Sequence, residues 1–142
     1  MQEGWNYLAL TVNPNNSLTA SGLLSQAQAN GVICKSIATF SGGQWAYYPA
    51  ASNDYPLESY KGYFMQCLNS GEIKITGRVR AYDFSKIGLT STGWYSISLP
   101  LSTTMTAQNF CDEAKAKFSG TTVEIDRWIN GGWDGHVCGL PF

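Results

Sequence analysis

The segment Gly4-Trp5-Asn6-Tyr7-Leu8-Ala9-Leu10 has a counterpart in Gly93-Trp94-Tyr95-Ser96-Ile97-Ser98-Leu99. A phrase that returns in one chain signals a copied structural unit, and copying constrains architecture more than any local preference does. In the first segment Leu8, Leu10 and Val12 share one face of a strand; in the second, Ile97, Leu99 and Leu101 share the equivalent face. Pro100 has no backbone donor, which puts that end of the second strand at a sheet edge.

The correspondence continues. Ser17-Leu18-Thr19-Ala20 leads to Leu23, Leu24 and Ala27, and Thr104-Met105-Thr106-Ala107 leads to Phe110, Cys111, Ala114 and Phe118. Steps of three and four predict a helix in each half. Thr19 and Thr106 stand at the N-cap positions, and Asn30-Gly31 and Ser119-Gly120 supply the stops. Glu113 and Lys117 are spaced to pair on the wet side. A strand, a glycine turn and a second strand follow, as 37–45 through Gly42-Gly43 and as 125–133 through Asn130-Gly131-Gly132. After Trp45 the first half adds the loop 48–56, a strand through Lys61-Gly62-Tyr63-Phe64 to Cys67, a turn at Asn69-Ser70-Gly71, and a strand over 72–77. A further strand is expected between Arg78 and Thr92. The second half ends at Phe142, before any counterpart of Lys61–Phe64. The expected fold is therefore α+β and β-dominated, with two pseudo-repeated lobes. Each has a small antiparallel sheet and one helix, and the second is incomplete. The division falls at 1–77 and 78–142, and lobes of about 70 residues are expected to share one core.

A copy without its closing strands exposes an edge, which proteins normally cover. The segment 78–89 is one candidate cover and a strand from another copy of the chain is a second, leading to a filament. A copy that closed on itself, or a cut repeat protein, accounts for the pattern more simply.

Composition narrows the function classes. Hydrophobic residues make up 44% of the 142, aromatics 13% and charged residues 13%, with a net charge of −1. A core is affordable, and neither a nucleic-acid footprint nor a polybasic lipid patch exists. No run of about 18 apolar residues offers membrane insertion. The start MQEGWNYLAL carries no positive n-region or apolar h-region. Either the chain is not secreted or a leader has been removed; a strand pattern beginning at position 4 favours removal, and an extracellular or cell-surface location.

Cys34 and Cys67 fall in the first half, Cys111 and Cys138 in the second. Three pairings are open, and one bridge per half is the simplest; four buried free thiols are the alternative. With His136 the lone histidine and no Cys-x-x-Cys, neither a metal site nor a cofactor is expected. Asp134-Gly135-His136-Val137-Cys138 is the one stretch with a nucleophile and a base two residues apart. A histidine beside a hairpin is more commonly a packing residue, so no catalytic residue is assigned. Glu124, Asp126 and Arg127 read as solvated strand positions. Lys61 is expected to pin a turn or lie over Tyr63.

The aromatic residues are the richest feature. Trp5, Trp45, Trp94, Trp128 and Trp133 recur at matching places and are expected to be core anchors. The tyrosines outside the repeat, Tyr47, Tyr48, Tyr55 and Tyr60, are the candidate binding surface.

Gly4-Trp5-Asn6, Thr19-Ala20, Gly42-Gly43-Gln44-Trp45, Lys61-Gly62-Tyr63-Phe64 and Thr76-Gly77 occur in the order of a repeat that this chain resembles. It is the GWN/KGY-type, β-rich tandem repeat module of secreted and cell-surface proteins of bacteria and archaea. The resemblance spans the first half and the second as far as Trp133, with Tyr95 in place of the usual asparagine. It implies a noncatalytic extracellular module for cell-surface structure or adhesion. The expected partner is a protein or polysaccharide at a cell surface, or further copies of the chain. A carbohydrate-binding module using exposed Tyr and Trp, and a self-assembling filament or surface-layer subunit, are the alternatives.

Overall fold

The structure, a computed structural model, describes residues 1–41, 43–50, 54–89, 92–100, 104–118, 124–129 and 131–140. It is β-dominated, with two helices and several small antiparallel sheets. In the first half, β1 (Gly4–Ala9), β5 (Gly62–Cys67), β3 (Cys34–Ser41) and β4 (Gln44–Tyr48) form one sheet in the order β1-β5-β3-β4. Every neighbouring pair in it is antiparallel. The short strands β2 (Val12–Pro14) and β6 (Gly77–Val79) pair separately. Helix α1 (Ala20–Ala29) starts where Thr19 accepts from the Gly22 N–H at 3.1 Å, and it ends at Asn30 with Gly31 at φ 78°. A cap of that kind contributes about 1 kcal/mol.

Helix α1 lies on one face of the sheet. Its Ala20, Leu23 and Ala27 join Leu10, Val32, Ile37, Leu57, Tyr63, Met65 and Cys67 in a buried cluster. Alternation along β5 sends Tyr63, Met65 and Cys67 into that cluster and Phe64 to the opposite face. Cys34 stands opposite Cys67 in the ladder and the two are bonded.

The second half repeats the plan in smaller form. Helix α2 (Ala107–Lys117) is capped by Thr106, which accepts from the Asn109 N–H at 3.1 Å, and it buries Phe110, Cys111 and Ala114. Strands β7 (Glu124–Ile129) and β8 (Gly132–Val137) form a hairpin. Gly43 and Gly131 hold corresponding places in the two hairpin turns, at φ 82° and 78°. Positive φ there favours glycine, which has no Cβ to clash. Cys111 bonds Cys138, so each half has its own bridge. The helix stop expected at Ser119-Gly120, and Gly42, Leu101, Asn130 and Phe142, lie outside the described residues.

Two expectations are corrected. First, 94–100 is not a ladder strand. Its described residues make two isolated bridges, Tyr95 with Ser41 and Ile97 with Lys61. Ser96 N–H donates to the Phe40 carbonyl, Gly62 N–H to the Ser96 carbonyl and Ser98 N–H to the Tyr60 carbonyl, each at 2.9 Å. β1 is stitched to β5, whereas the opening segment of the second half satisfies its backbone on Phe40, Tyr60 and Gly62 of the first. Second, 72–76 is irregular, and β6 then covers only Gly77–Val79, followed by a single 3₁₀ turn at Phe84–Lys86. Ile73 and Ile75 still pack on the first cluster. Among the described residues the buried apolar side chains fall into two clusters: Phe84, Ile87, Phe110 and Ala114 make the second, and Tyr60 reaches into it from the first half.

Candidate binding face

The face of the main sheet turned away from α1 is built from aromatic rings. Phe64 comes from the middle of the sheet. Around it stand Tyr7 at 5.0 Å, Trp45 at 5.6 Å, Trp133 at 5.7 Å and Trp128 at 5.9 Å between ring centroids, all edge-on. Edge-to-face geometry sets the positive rim of one ring against the negative face of the next. Tyr7 and Phe64 are direct ladder partners. Trp45 pairs across β3–β4 with Phe40, and Trp133 pairs across β7–β8 with Trp128. Their centroids are 4.9 and 5.0 Å apart. The two hairpins thus carry an aromatic cross-strand pair at the same place next to the turn, and Trp45 of the first and both members of the second close on Phe64.

Phe64 is 7% exposed, but the rings around it are not sealed: Trp133 is 57% exposed, Trp45 47%, Trp5 43% and Tyr47 41%. Tyr47 stacks on Trp45 at 5.7 Å. Tyr7 donates from its hydroxyl to the Ile97 carbonyl at 2.6 Å, and burial pushes its phenol up to about 12. Along β7, Glu124 and Asp126 share the side of Trp128, their carboxylates lying over Gly135, whereas Arg127 and Asp134 pair on the other side of the hairpin, an exposed contact of 2.7 Å. Pairs of that kind contribute little.

The expected roles of the aromatic residues therefore change. Of the repeated tryptophans, Trp5, Trp45, Trp94 and Trp133 are more than two-fifths exposed, and Trp128 is half-buried. A hairpin lying on the outside of a single sheet has no further layer above it, so its rings bury one edge only. Among the four tyrosines, Tyr47 alone is exposed. Tyr48 packs against the first cluster. Tyr55 stacks on Tyr63 at 6.4 Å and donates to the Ile37 carbonyl, its phenol pushed up to about 12 by burial. Tyr60 is 7% exposed, donates to the Ala81 carbonyl at 2.8 Å, and lies 3.9 Å beneath the Arg80 guanidinium. Tyr7 and Phe64, which sequence reasoning left out, are central to the face; the period-two alternation through Lys61-Gly62-Tyr63-Phe64 is the signal that points to them.

The Cys138 sulfur is bonded to Cys111 and carries no thiol, and His136 Nε2 lies 3.0 Å from Gln108 Oε1. Lys61 pins its turn through Glu58 at 2.7 Å. Glu124 is exposed and Asp126 half-buried. Among the described residues, no group of three or more His, Cys, Asp and Glu is placed to hold a metal, and no helix is long and apolar enough to cross a membrane. Comparison with protein families, with curated proteins and with solved structures gives no match.

Proposed function

We propose that the chain is a noncatalytic extracellular module that holds a partner at a cell surface through the face centred on Phe64. The observation that carries this reading is the half-exposed state of Trp45, Tyr47 and Trp133 around one buried ring. Large rings fixed at one edge and open at the other lose little freedom on binding and offer wide apolar contact. Two disulfides suit an oxidising compartment. The resemblance to cell-surface repeat modules points the same way. Contact through the rings of Trp45, Tyr47 and Trp133 is apolar, so binding that rests on them is expected to change little with salt.

A polysaccharide is the second reading, favoured by the same exposed indoles, which present flat apolar surfaces to the C–H faces of sugar rings. Depletion binding to insoluble cellulose, chitin and peptidoglycan, beside attachment to intact cells, separates the two. Retention on a polymer that Trp45→Ala with Trp133→Ala abolishes supports the polysaccharide. Cell attachment lost in the same variant, with no polymer retained, supports a protein partner. Attachment to neither, or binding indifferent to the double substitution, removes the face from the account.

A further inference from the structure

We propose that β4 is a self-pairing edge, through which two copies of the chain join antiparallel about a two-fold axis centred on Ala46. The inference stands apart from the partner reading above, because it concerns the backbone edge of the sheet and not its aromatic face.

The argument begins with an internal comparison. The hairpins β3–β4 and β7–β8 are copies, and edge strands in natural proteins are guarded by charge. β8 is guarded: it holds Asp134 where β4 holds Ala46, and Asp134 is paired with Arg127. β4 reads Gln-Trp-Ala-Tyr-Tyr, with no charge, and Gln44 to Tyr47 are all exposed. Its partner β3 lies on one side; among the described residues, no strand and no backbone hydrogen bond meets its other side. The opposite edge of the sheet differs. There Asn6 folds back, its amide donating to the carbonyls of Gln2 and Gly4 and its oxygen accepting from the Gln2 N–H.

A strand that meets its own copy must be compatible with itself. In a two-fold pair centred on Ala46, Ala46 faces Ala46 of the other copy, Trp45 faces Tyr47 and Gln44 faces Tyr48, so no like charges oppose each other. The sheet β1-β5-β3-β4 becomes an eight-stranded sheet across two copies. The rings of Trp45 and Tyr47 stay on its face, and the aromatic surface is doubled. The axis closes the assembly at two, because the same edge is used by both copies. Five residues a side place the interface at the small end of specific contacts, so the pairing is concentration-dependent.

Sedimentation over a wide concentration range tests it. The wild-type chain is expected to pass from monomer to dimer mass. Ala46→Asp and Ala46→Lys, each placing like charges opposite each other, are expected to remain monomeric, and an equimolar mixture of the two is expected to dimerise. Asp134 at the corresponding place of the second hairpin indicates that an acidic residue there is compatible with the turn, and circular dichroism checks it. For wild type alone, amide exchange at Gln44–Tyr48 is expected to slow as concentration rises. A wild-type chain monomeric throughout overturns the proposal, as does association that Ala46→Asp leaves unchanged.

Discussion

Trp45 and Trp133 stand at corresponding places in two copies of one hairpin, and both set their rings edge-on to Phe64, at 5.6 and 5.7 Å. One side chain from the first half therefore organises rings from both halves. The second half is held to the first by this cluster, and by the backbone bonds that 96–98 makes to Phe40, Tyr60 and Gly62.

Phe64→Ala removes the centre of that cluster and is expected to cost about 3–4 kcal/mol, a buried-phenylalanine loss. Phe64→Leu is expected to cost less than half as much. Urea unfolding measures both. A loss below about 1 kcal/mol for the alanine variant contradicts the role assigned to Phe64.

Each disulfide closes a loop, with separations of 33 residues for Cys34–Cys67 and 27 for Cys111–Cys138. Chain entropy gives each roughly 3–4 kcal/mol. Paired Cys→Ser substitution, one bridge at a time, is expected to lower stability by amounts of that order in denaturant titration. Near-identical midpoints with and without either bridge would count against native bridges.

Arg80 is 4% exposed; its Nη2 donates to the Ser98 carbonyl at 3.1 Å, while Nε and Nη1 have no hydrogen-bond partner among the described residues. Burial lowers its pKa, with Tyr60 acting in the opposite sense. A buried cation without a facing carboxylate is costly, and an apolar side chain of similar reach relieves the cost. Arg80→Met is expected to leave stability unchanged or raise it, despite the lost contact over Tyr60. A fall of more than about 3 kcal/mol in thermal or urea unfolding would mean that the charge is compensated.

Stability is also expected to depend on pH at both extremes. Tyr7, Tyr55 and Tyr63 are each raised by burial from 10.0 to about 12. The unfolded chain releases these protons first, so their contribution is intact below pH 10 and is lost as pH rises from 10 towards 12. On the acid side, hydrogen bonds from Ser21 lower Asp54, and the Ser85 hydroxyl lowers Asp83. That contribution is present above the ordinary aspartate value of 3.8 and fades as pH falls below it. Phenolate absorbance followed with circular dichroism checks the alkaline limb. Ionisation of all tyrosines near pH 10 in a folded chain contradicts it.

Much of this fold was legible before the structure. Thr19 and Thr106 mark helix starts because a free N–H needs a short polar acceptor, and that is a local requirement. Gly43 and Gly131 mark turns for an equally local reason. The grouping of Cys34 with Cys67 and Cys111 with Cys138 followed from the duplication. What failed was non-local. Ile97 and Leu99 alternate like a strand, but a strand needs a neighbour along its length, and among the described residues this segment makes only isolated bridges to Ser41 and Lys61. Tyr60 and Tyr55 looked available because they lie outside the repeat, yet tertiary packing covered both. Trp45 and Trp133 looked like core residues because they recur; recurrence fixed their place beside Phe64 without supplying a layer to cover them.

The cluster itself is open to one direct measurement: through-space proton contacts between the Phe64 ring and the indole rings of Trp45 and Trp133 in solution. Cross-peaks from Phe64 to both indoles are the predicted result. Contacts to Trp45 alone, with Trp133 showing none, would contradict the joining of the two copies at Phe64 and remove the basis for a shared aromatic face.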